Sequence, residues 1–365
     1  MNVVFRVDSS MQLGTGHVMR CLALANKIKQ EGGTATFICR NHDGHICSTI
    51  KEQGHSVIIF PLARLDIELL TTNSSYIETL GSSIEDDAVE TIDAINGNQP
   101  DWLIVDHYDI DSIWHIKLRS CVNNIFVIDD IAGKKIDCDL LLNQNLGCQE
   151  NIYDGIMSDG YEFLLGTKYT LLRPEFNKLR NDAFVKREKL TDVKNILITF
   201  GGLDVENYSG VIVDELNEIE FGIPIEVNVV LGKHAPHYQS LLSKASSYKN
   251  TVNIFSNVTN MAELMLNADV SFGAAGSTSW ERCCLGLPAI LVVLAENQFE
   301  AASQLEDSGG IINLGYIHDV DILKTWMRNN LPLTSEKLEE MSLKAFDVVD
   351  GKGVERVYSK MNSFV

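Results

Sequence analysis

The sequence predicts an α/β protein built from two doubly wound parallel-sheet domains that face a central cleft. Three observations carry this. Short apolar runs alternate with amphipathic helical stretches through both halves of the 365 residues, the pattern of parallel strands joined by crossover helices. The alternation breaks at a charged segment, Lys178 to Lys189, and then restarts. Three turns rich in small residues directly follow strand-like runs, at matching points of the two halves.

In the first half the strand-like runs are Val3–Val7, Thr34–Cys39, Ser56–Phe60, Trp102–Val105 and Ile125–Ile128, with helical stretches such as His17–Gln30 and Asp111–Cys121 between them. Leu65 to Ser83 is polar and weakly periodic, and reads as an irregular insertion. In the second half the runs are Ile196–Phe200, Ile225–Leu231, Val252–Phe255, Val270–Phe272 and Ile290–Val293, with helices at Ala262–Leu266 and Thr278–Leu285. Ser335 to Phe364 reads as helical, broken at Gly351 and Gly353. The expected organisation is an N-terminal domain over 1–168, a connection over 169–189 and a C-terminal domain over 190–365, with the last helix able to cross back. Each half is long enough to bury its own core.

A formal net charge of −20 repels nucleic acid phosphates and anionic bilayers, so neither is expected as a partner. It leaves room for a local positive site that takes a small anion. The eight cysteines are scattered, none in a Cys-x-x-Cys pair, and several lie in apolar runs. They read as reduced thiols of a cytoplasmic protein, not as a disulfide or zinc framework. No signal-peptide pattern is visible, and the apolar run Pro288 to Ala295 is far too short to span a bilayer, so no stable membrane contact is expected.

The first small-residue turn is Gly14-Thr15-Gly16-His17-Val18-Met19-Arg20, between an apolar strand and a helix with Val18, Cys21, Leu22, Ala25 and Ile28 on one face. It puts His17 at a helix N-terminus, where unpaired N–H groups and partial positive charge gather. That setting favours a neutral imidazole, the form a general base needs. Asp106-His107-Tyr108 ends one strand and Asp129-Asp130 ends the next. These groups could orient His17, position water or cap helices. Two acids alone are not a metal site, and none is expected.

The second turn is Gly201-Gly202-Leu203-Asp204 and the third runs from Gly273 through Gly276-Ser277-Thr278 to Glu281. Small residues let backbone approach a ligand closely, and a following helix start offers N–H donors to a diphosphate. Neither turn is a Walker A loop or a Gly-x-Gly-x-x-Gly fingerprint. Glu281 lies one helical turn beyond Ser277, where a carboxylate can accept from two ribose hydroxyls or simply favour the helix start. Asn297 and Gln298 place two amides after a buried strand, suited to sugar hydroxyls, to acetamido groups or to a helix cap.

These motifs together resemble one family. Phe5-Arg6-Val7-Asp8 with Gly14-Thr15-Gly16-His17, Leu172-Arg173-Pro174-Glu175-Phe176, Gly201-Gly202-Leu203-Asp204, Ala275 through Pro288, and Ala295-Glu296-Asn297-Gln298 are similar to the UDP-2,4-diacetamido-2,4,6-trideoxy-β-L-altropyranose hydrolases of pseudaminic acid biosynthesis. The resemblance spans nearly the whole chain. It implies a GT-B-like fold of two Rossmann-like domains, related to the N-acetylglucosaminyltransferase that makes lipid II, with UDP bound mainly by the C-terminal domain. It also implies metal-independent hydrolysis of the sugar–UDP bond with inversion, no cofactor, His17 as catalytic residue and Glu281 on the uridine ribose. Gly14, Thr15, Gly16, Arg20, Asp106, His107 and Tyr108 are the expected substrate contacts of the first half. Gly201, Gly202, Gly276, Ser277, Thr278, Glu281, Asn297 and Gln298 are those of the second, and Arg173, on a further motif position, is also an expected substrate contact. Where the family usually has glycine or serine, this chain has Leu203 and Ala274-Ala275. Competing readings are a glycosyltransferase of the same fold and a non-catalytic UDP-sugar-binding protein.

Overall fold

The computed structural model describes residues 1–63, 76–95, 97–157, 160–232, 235–317 and 320–365; the side chains of Tyr76 and Asn297 are outside that description. The chain divides into two compact units, Met1–Arg173 with Lys352–Val365, and Pro174–Gly351.

The first unit contains β1 (Asn2–Val7), α1 (Gly16–Gln30), β2 (Thr34–Arg40), α2 (Cys47–Glu52), β3 (Ser56–Phe60), the small hairpin β4 (Tyr76–Ile77) and β5 (Ser82–Ser83), α3 (Ile84–Ile95), β6 (Trp102–Asp106), α4 (Ser112–Leu118), β7 (Asn124–Ile128), β8 (Leu140–Asn143) and β9 (Glu162–Leu165). Its main sheet is parallel throughout, in the order β3-β2-β1-β6-β7-β8-β9. Strand alternation feeds two cores. Val3, Phe5, Val7, Trp102 and Ile104 pack with α1 on one face, while Val4, Leu103 and Val105 pack with Trp114 of α4 on the other. Each such side chain contributes roughly 1.5–3 kcal/mol by leaving water.

The second unit contains α5 (Pro174–Arg187), β10 (Asn195–Thr199), α6 (Tyr208–Glu218), β11 (Glu226–Leu231), α7 (Tyr238–Lys244), β12 (Thr251–Ser256), α8 (Met261–Asn267), β13 (Val270–Ala274), α9 (Thr278–Cys284), β14 (Ala289–Val293), α10 (Phe299–Asp307), β15 (Ile311–Tyr316), α11 (Val320–Asn330) and α12 (Ser335–Val348). Its sheet is also parallel, in the order β12-β11-β10-β13-β14-β15. The final helix, α13 (Gly353–Asn362), returns to the first unit, where Val354, Val357 and Met361 join the α1 side of its core. Backbone at Gly353 lies so close to residues 169–170 that a Cβ there would stand 2.2 Å from the Thr170 carbonyl.

Two differences from the sequence reading have physical causes. Of the connection expected over 169–189, residues 174–187 form α5, which packs in the second unit through Phe176, Ala183 and Arg187. The apolar stripe is too narrow to show among its charges. Lys186 and Arg187 instead satisfy backbone carbonyls at the C-terminal end of α8, from Met265 to Ala268. Strands β8, β9 and β15 lie at or near sheet edges and are short or of mixed polarity, so no alternation marks them. Of the insertion expected at Leu65 to Ser83, residues 65–75 lie outside the described residues.

The first sheet also buries charge. Arg6 on β1 and Arg40 at the end of β2 both bond Asp87 of α3, at 2.7 Å and 2.6 Å, and Arg6 lies 2.8 Å from Asp8. The Trp114 indole donates to the same Asp87 at 3.0 Å. This network fastens α3 and α4 against the strand ends that carry the candidate site.

Candidate active site

In an open parallel sheet, ligands gather beyond the strand C-termini where strand order reverses. In the first unit β1 lies between β2 and β6, so the reversal falls at the β1–α1 turn and the end of β6. His17 is on the first turn of α1 and Asp106 is the last residue of β6. Gly14 permits the turn, with φ of +73° that other side chains tolerate poorly.

His17 Nδ1 lies 2.7 Å from Asp106 Oδ1. Arg20, one helical turn on, grips the same carboxylate from Nε and Nη2 at 2.7 and 2.6 Å. Its Nη1 donates to Asp130 Oδ2 at 2.6 Å, and the Tyr108 hydroxyl donates to that oxygen at 2.9 Å. The Tyr108 ring meets the imidazole edge-on, with centroids 4.7 Å apart.

The electrostatics follow. Burial alone would raise the Asp106 pKa, but the charges and hydrogen bonds of Arg20 and His17 outweigh it and hold the carboxyl well below its usual range. Burial likewise opposes the Arg20 charge, and Asp106 and Asp130 more than restore it. Burial and then the Asp130 charge push the Tyr108 phenol up, so it stays a donor. The Asp106 oxygen 2.7 Å from Nδ1 favours the imidazole hydrogen there, although Arg20 Nη2 also stands 3.2 Å from that nitrogen; in the neutral ring so arranged the lone pair is on Nε2. The cluster therefore presents a nitrogen base fixed in tautomer and orientation.

The other candidates are placed as follows. Thr15 is the N-cap of α1 without a side-chain cap bond, and Gly16 is its first residue. His107, adjacent in sequence, turns away from His17. Its Nδ1 accepts from the Asp109 N–H at 3.1 Å and its Nε2 lies 3.5 Å from Asp8. Burial lowers its pKa, so it belongs to the Arg6–Asp8–Asp87 region as a neutral ring. Asp129 accepts from the Ala132 N–H and the Tyr153 hydroxyl, closing its own turn. Among the described residues no group of three or more His, Cys, Asp or Glu converges as a ligand set. Arg173 is half-buried at the last position of the first unit. Asp130 is the member of the cluster that residue types alone did not rank above its neighbour Asp129.

In the second unit the reversal falls between β10 and β13, since β10 lies between β11 and β13. The turns after these two strands carry Gly201-Gly202 and Gly276-Ser277-Thr278. Gly201 has φ of +84°, and the Gly202 carbonyl accepts from the Gly232 N–H at 3.0 Å. The start of α6 differs from the expected open donor site. The two Asp204 oxygens accept from Tyr208 and Ser209 N–H groups, each at 2.9 Å. Asp204 thus caps α6 itself, held at a left-handed φ of +44°. Ser277 is the N-cap of α9 and makes no side-chain cap bond, and Glu281 is half-buried in the first turn. Gln298 accepts the Leu294 N–H at 3.0 Å, which aims its Nε2 at Gly276, 3.7 Å from where a Cβ would stand. The structure thus brings Gly276 and Gln298 together. The Asn297 side chain is outside the description.

Comparison with known proteins agrees with this architecture. Residues 195–351 match the glycosyltransferase family 28 C-terminal domain. An uncharacterised protein of Methanocaldococcus jannaschii is 28% identical over 306 residues, which cover 82% of this chain and only 57% of that protein's length. The UDP-2,4-diacetamido-2,4,6-trideoxy-β-L-altropyranose hydrolase of Campylobacter jejuni is 27% identical over 87% of this chain and 100% of its own. The spore coat polysaccharide biosynthesis protein SpsG of Bacillus subtilis is 25% identical over 98% of this chain and 96% of its own. Among solved structures, MurG of Acinetobacter baumannii superposes with a TM-score of 0.69 at 16% identity, over 99% of both chains. CalG4, the calicheamicin glycosyltransferase, superposes with a TM-score of 0.63 at 12% identity, over 99% of this chain and 98% of its own. No helix among the described residues is long and apolar enough to cross a membrane. Two all-parallel Rossmann-like sheets and these neighbours give the chain a GT-B-like fold, with distant sequence similarity to a sugar-nucleotide hydrolase.

Proposed function

We propose that the protein is a UDP-sugar hydrolase that cleaves UDP-2,4-diacetamido-2,4,6-trideoxy-β-L-altropyranose, with water as the acceptor. The observation that carries this reading is the His17–Asp106 pair, 2.7 Å from Nδ1 to carboxylate oxygen, which supports a ring with its hydrogen on Nδ1 and Nε2 available to take a proton. The second unit binds UDP through the Gly201-Gly202 and Gly276–Thr278 turns, with Glu281 on the ribose hydroxyls and Gln298 and Asn297 near the sugar. The first unit supplies the base. Gly14, Thr15 and Gly16 let the sugar approach closely.

In the reaction, Nε2 of His17 orients a water and takes its proton as the water oxygen bonds to the anomeric carbon. The anomeric C–O bond to the diphosphate breaks, its electron pair leaves with UDP, and configuration at that carbon inverts. Asp106 and Asp130 contribute two negative charges around His17 and Arg20 one positive, so the proton arrives beside compensating charge. UDP is a good leaving group, which lessens the need for a general acid. Positioned general-base catalysis typically contributes ~10²–10⁴-fold.

The glycosyltransferase family 28 match supports a second reading, transfer of the sugar to an organic acceptor. Incubating purified protein with the authentic UDP-sugar and no acceptor separates the two. Stoichiometric UDP and free sugar of inverted anomeric configuration, followed by NMR, are expected. Absence of UDP release without an added acceptor would assign the chain to transfer, and binding without turnover in any condition would make it a sugar-nucleotide-binding protein.

A further inference from the structure

Arg282 on α9 is buried, 1% exposed, and the base-catalysed reaction above does not use it. Its position is unusual. Nη2 donates to the Thr199 carbonyl and Nη1 to the Ala274 carbonyl, each at 3.2 Å, while Nε donates to Ser271 Oγ at 3.0 Å. Thr199 is the last residue of β10 and Ala274 the last of β13. The guanidinium therefore spans the strand ends at the reversal of strand order, directly behind the two glycine turns. Gly273 is glycine for the same reason, since a Cβ there would stand 2.1 Å from Nη2 and 2.4 Å from the Thr199 carbonyl.

The three acceptors are neutral, so none of them cancels the cation. Burial pushes the guanidinium down to about 10, the Glu281 carboxylate restoring only part of the loss, and it remains charged at neutral pH. Placing a cation in such a setting is costly unless a negative partner offsets it. The start of α6 does not serve as the competing positive end, because Asp204 occupies the N–H groups of Tyr208 and Ser209.

We infer that Arg282 is a positioning residue for the leaving diphosphate: it holds the β10 and β13 turns at a fixed spacing and places a permanent positive charge behind both. The inference rests on the reading of these turns as the UDP site. It explains how a diphosphate is held by a chain whose formal charge is −20. A cation fixed in low dielectric acts more strongly on a bound anion than a surface lysine does, and needs no reorganisation as charge develops on the leaving oxygen.

The test is the ratio of UDP to uridine affinity, measured by titration calorimetry in EDTA on wild type, Arg282→Met, Arg282→Gln and Arg282→Lys. Far-UV circular dichroism and a thermal melt first establish that each variant is folded. Arg282→Met and Arg282→Gln should lose on the order of 10- to 100-fold in UDP affinity with uridine changed less than about threefold. Arg282→Lys keeps the charge and should stay within about fivefold of the wild-type ratio. Should Arg282→Met not fold, the Gln and Lys variants, which both retain donors to the strand-end oxygens, carry the comparison. A purely structural role would weaken UDP and uridine together or leave the ratio unchanged, and either result overturns the inference. Wild-type protein that binds neither ligand overturns the UDP reading itself.

Discussion

His17 Nδ1 lies 2.7 Å from Asp106 Oδ1, and Arg20 holds both oxygens of that carboxylate. The pair selects one imidazole tautomer and one ring orientation. Asp106→Asn removes the charge that fixes the hydrogen on Nδ1, so the wrong nitrogen can face the substrate. Turnover should fall by about 10²–10⁴-fold with UDP affinity within a few-fold of wild type, as steady-state kinetics and calorimetry would measure. A loss confined to KM would show that Asp106 binds substrate and does not orient the base.

His17→Asn and His17→Ala should abolish most turnover and leave UDP binding largely intact, because the proposed UDP contacts lie in the second unit. Near-normal turnover by a folded variant would remove His17 from the mechanism.

Hydrolysis should continue at full rate in excess EDTA. A reversible loss on chelation, restored by a divalent cation, would direct attention to the carboxylates at Asp129 and Asp130.

Gly232 follows β11, and a Cβ at this position would stand 2.2 Å from the Gly202 carbonyl. Gly232→Ala must therefore displace the Gly201–Gly202 turn. Roughly 10- to 100-fold weaker UDP binding is expected with a melting curve that remains cooperative, since displacements near 1 Å can cost this much at a positioned site. Unchanged UDP affinity would take this turn out of the site.

Acid should weaken the first unit in two windows. Burial lowers the His115 pKa from 6.5 to about 3, so between those values the unfolded chain binds a proton that the folded chain does not. Stability is complete above pH 6.5 and falls as pH drops toward 3, by at most ~1.4 kcal/mol per pH unit. Burial would raise the Asp87 pKa, but Arg6 and Arg40 bring it down to about 2 from 3.8, so its contribution holds above 3.8 and is lost as pH falls through 2. His115→Phe should flatten the dependence of Tm on pH between 6.5 and 4. Asp87→Ala should cost about 3–5 kcal/mol at neutral pH by leaving two buried guanidinium groups without their shared partner. A pH slope unaltered in His115→Phe would place the proton uptake elsewhere.

The sequence by itself determined the architecture and the addresses of the sites. Period-two apolar runs and small-residue turns depend on neighbours within a few residues, so the strand-to-helix turns at Gly14–Arg20, Gly201–Asp204 and Gly273–Glu281 were legible, and with them His17 at a helix start. Only the tertiary structure decided the partners. Asp106 is 89 residues from His17 and Asp130 is 110 from Arg20, and sequence alone, though it put Asp106 among the expected substrate contacts, left open which polar residue orients His17. Parallel pairing of β1 with β6 and of β6 with β7 sets those strand ends side by side, which chooses Asp106 for the imidazole and turns His107 toward Asp8. The same holds for Arg282, whose acceptor on Thr199 is 83 residues away. In the sequence it is one more charge in a helix; between two adjacent strand ends it is a buried cation whose side-chain hydrogen bonds go to Ser271, Ala274 and Thr199, all neutral oxygens.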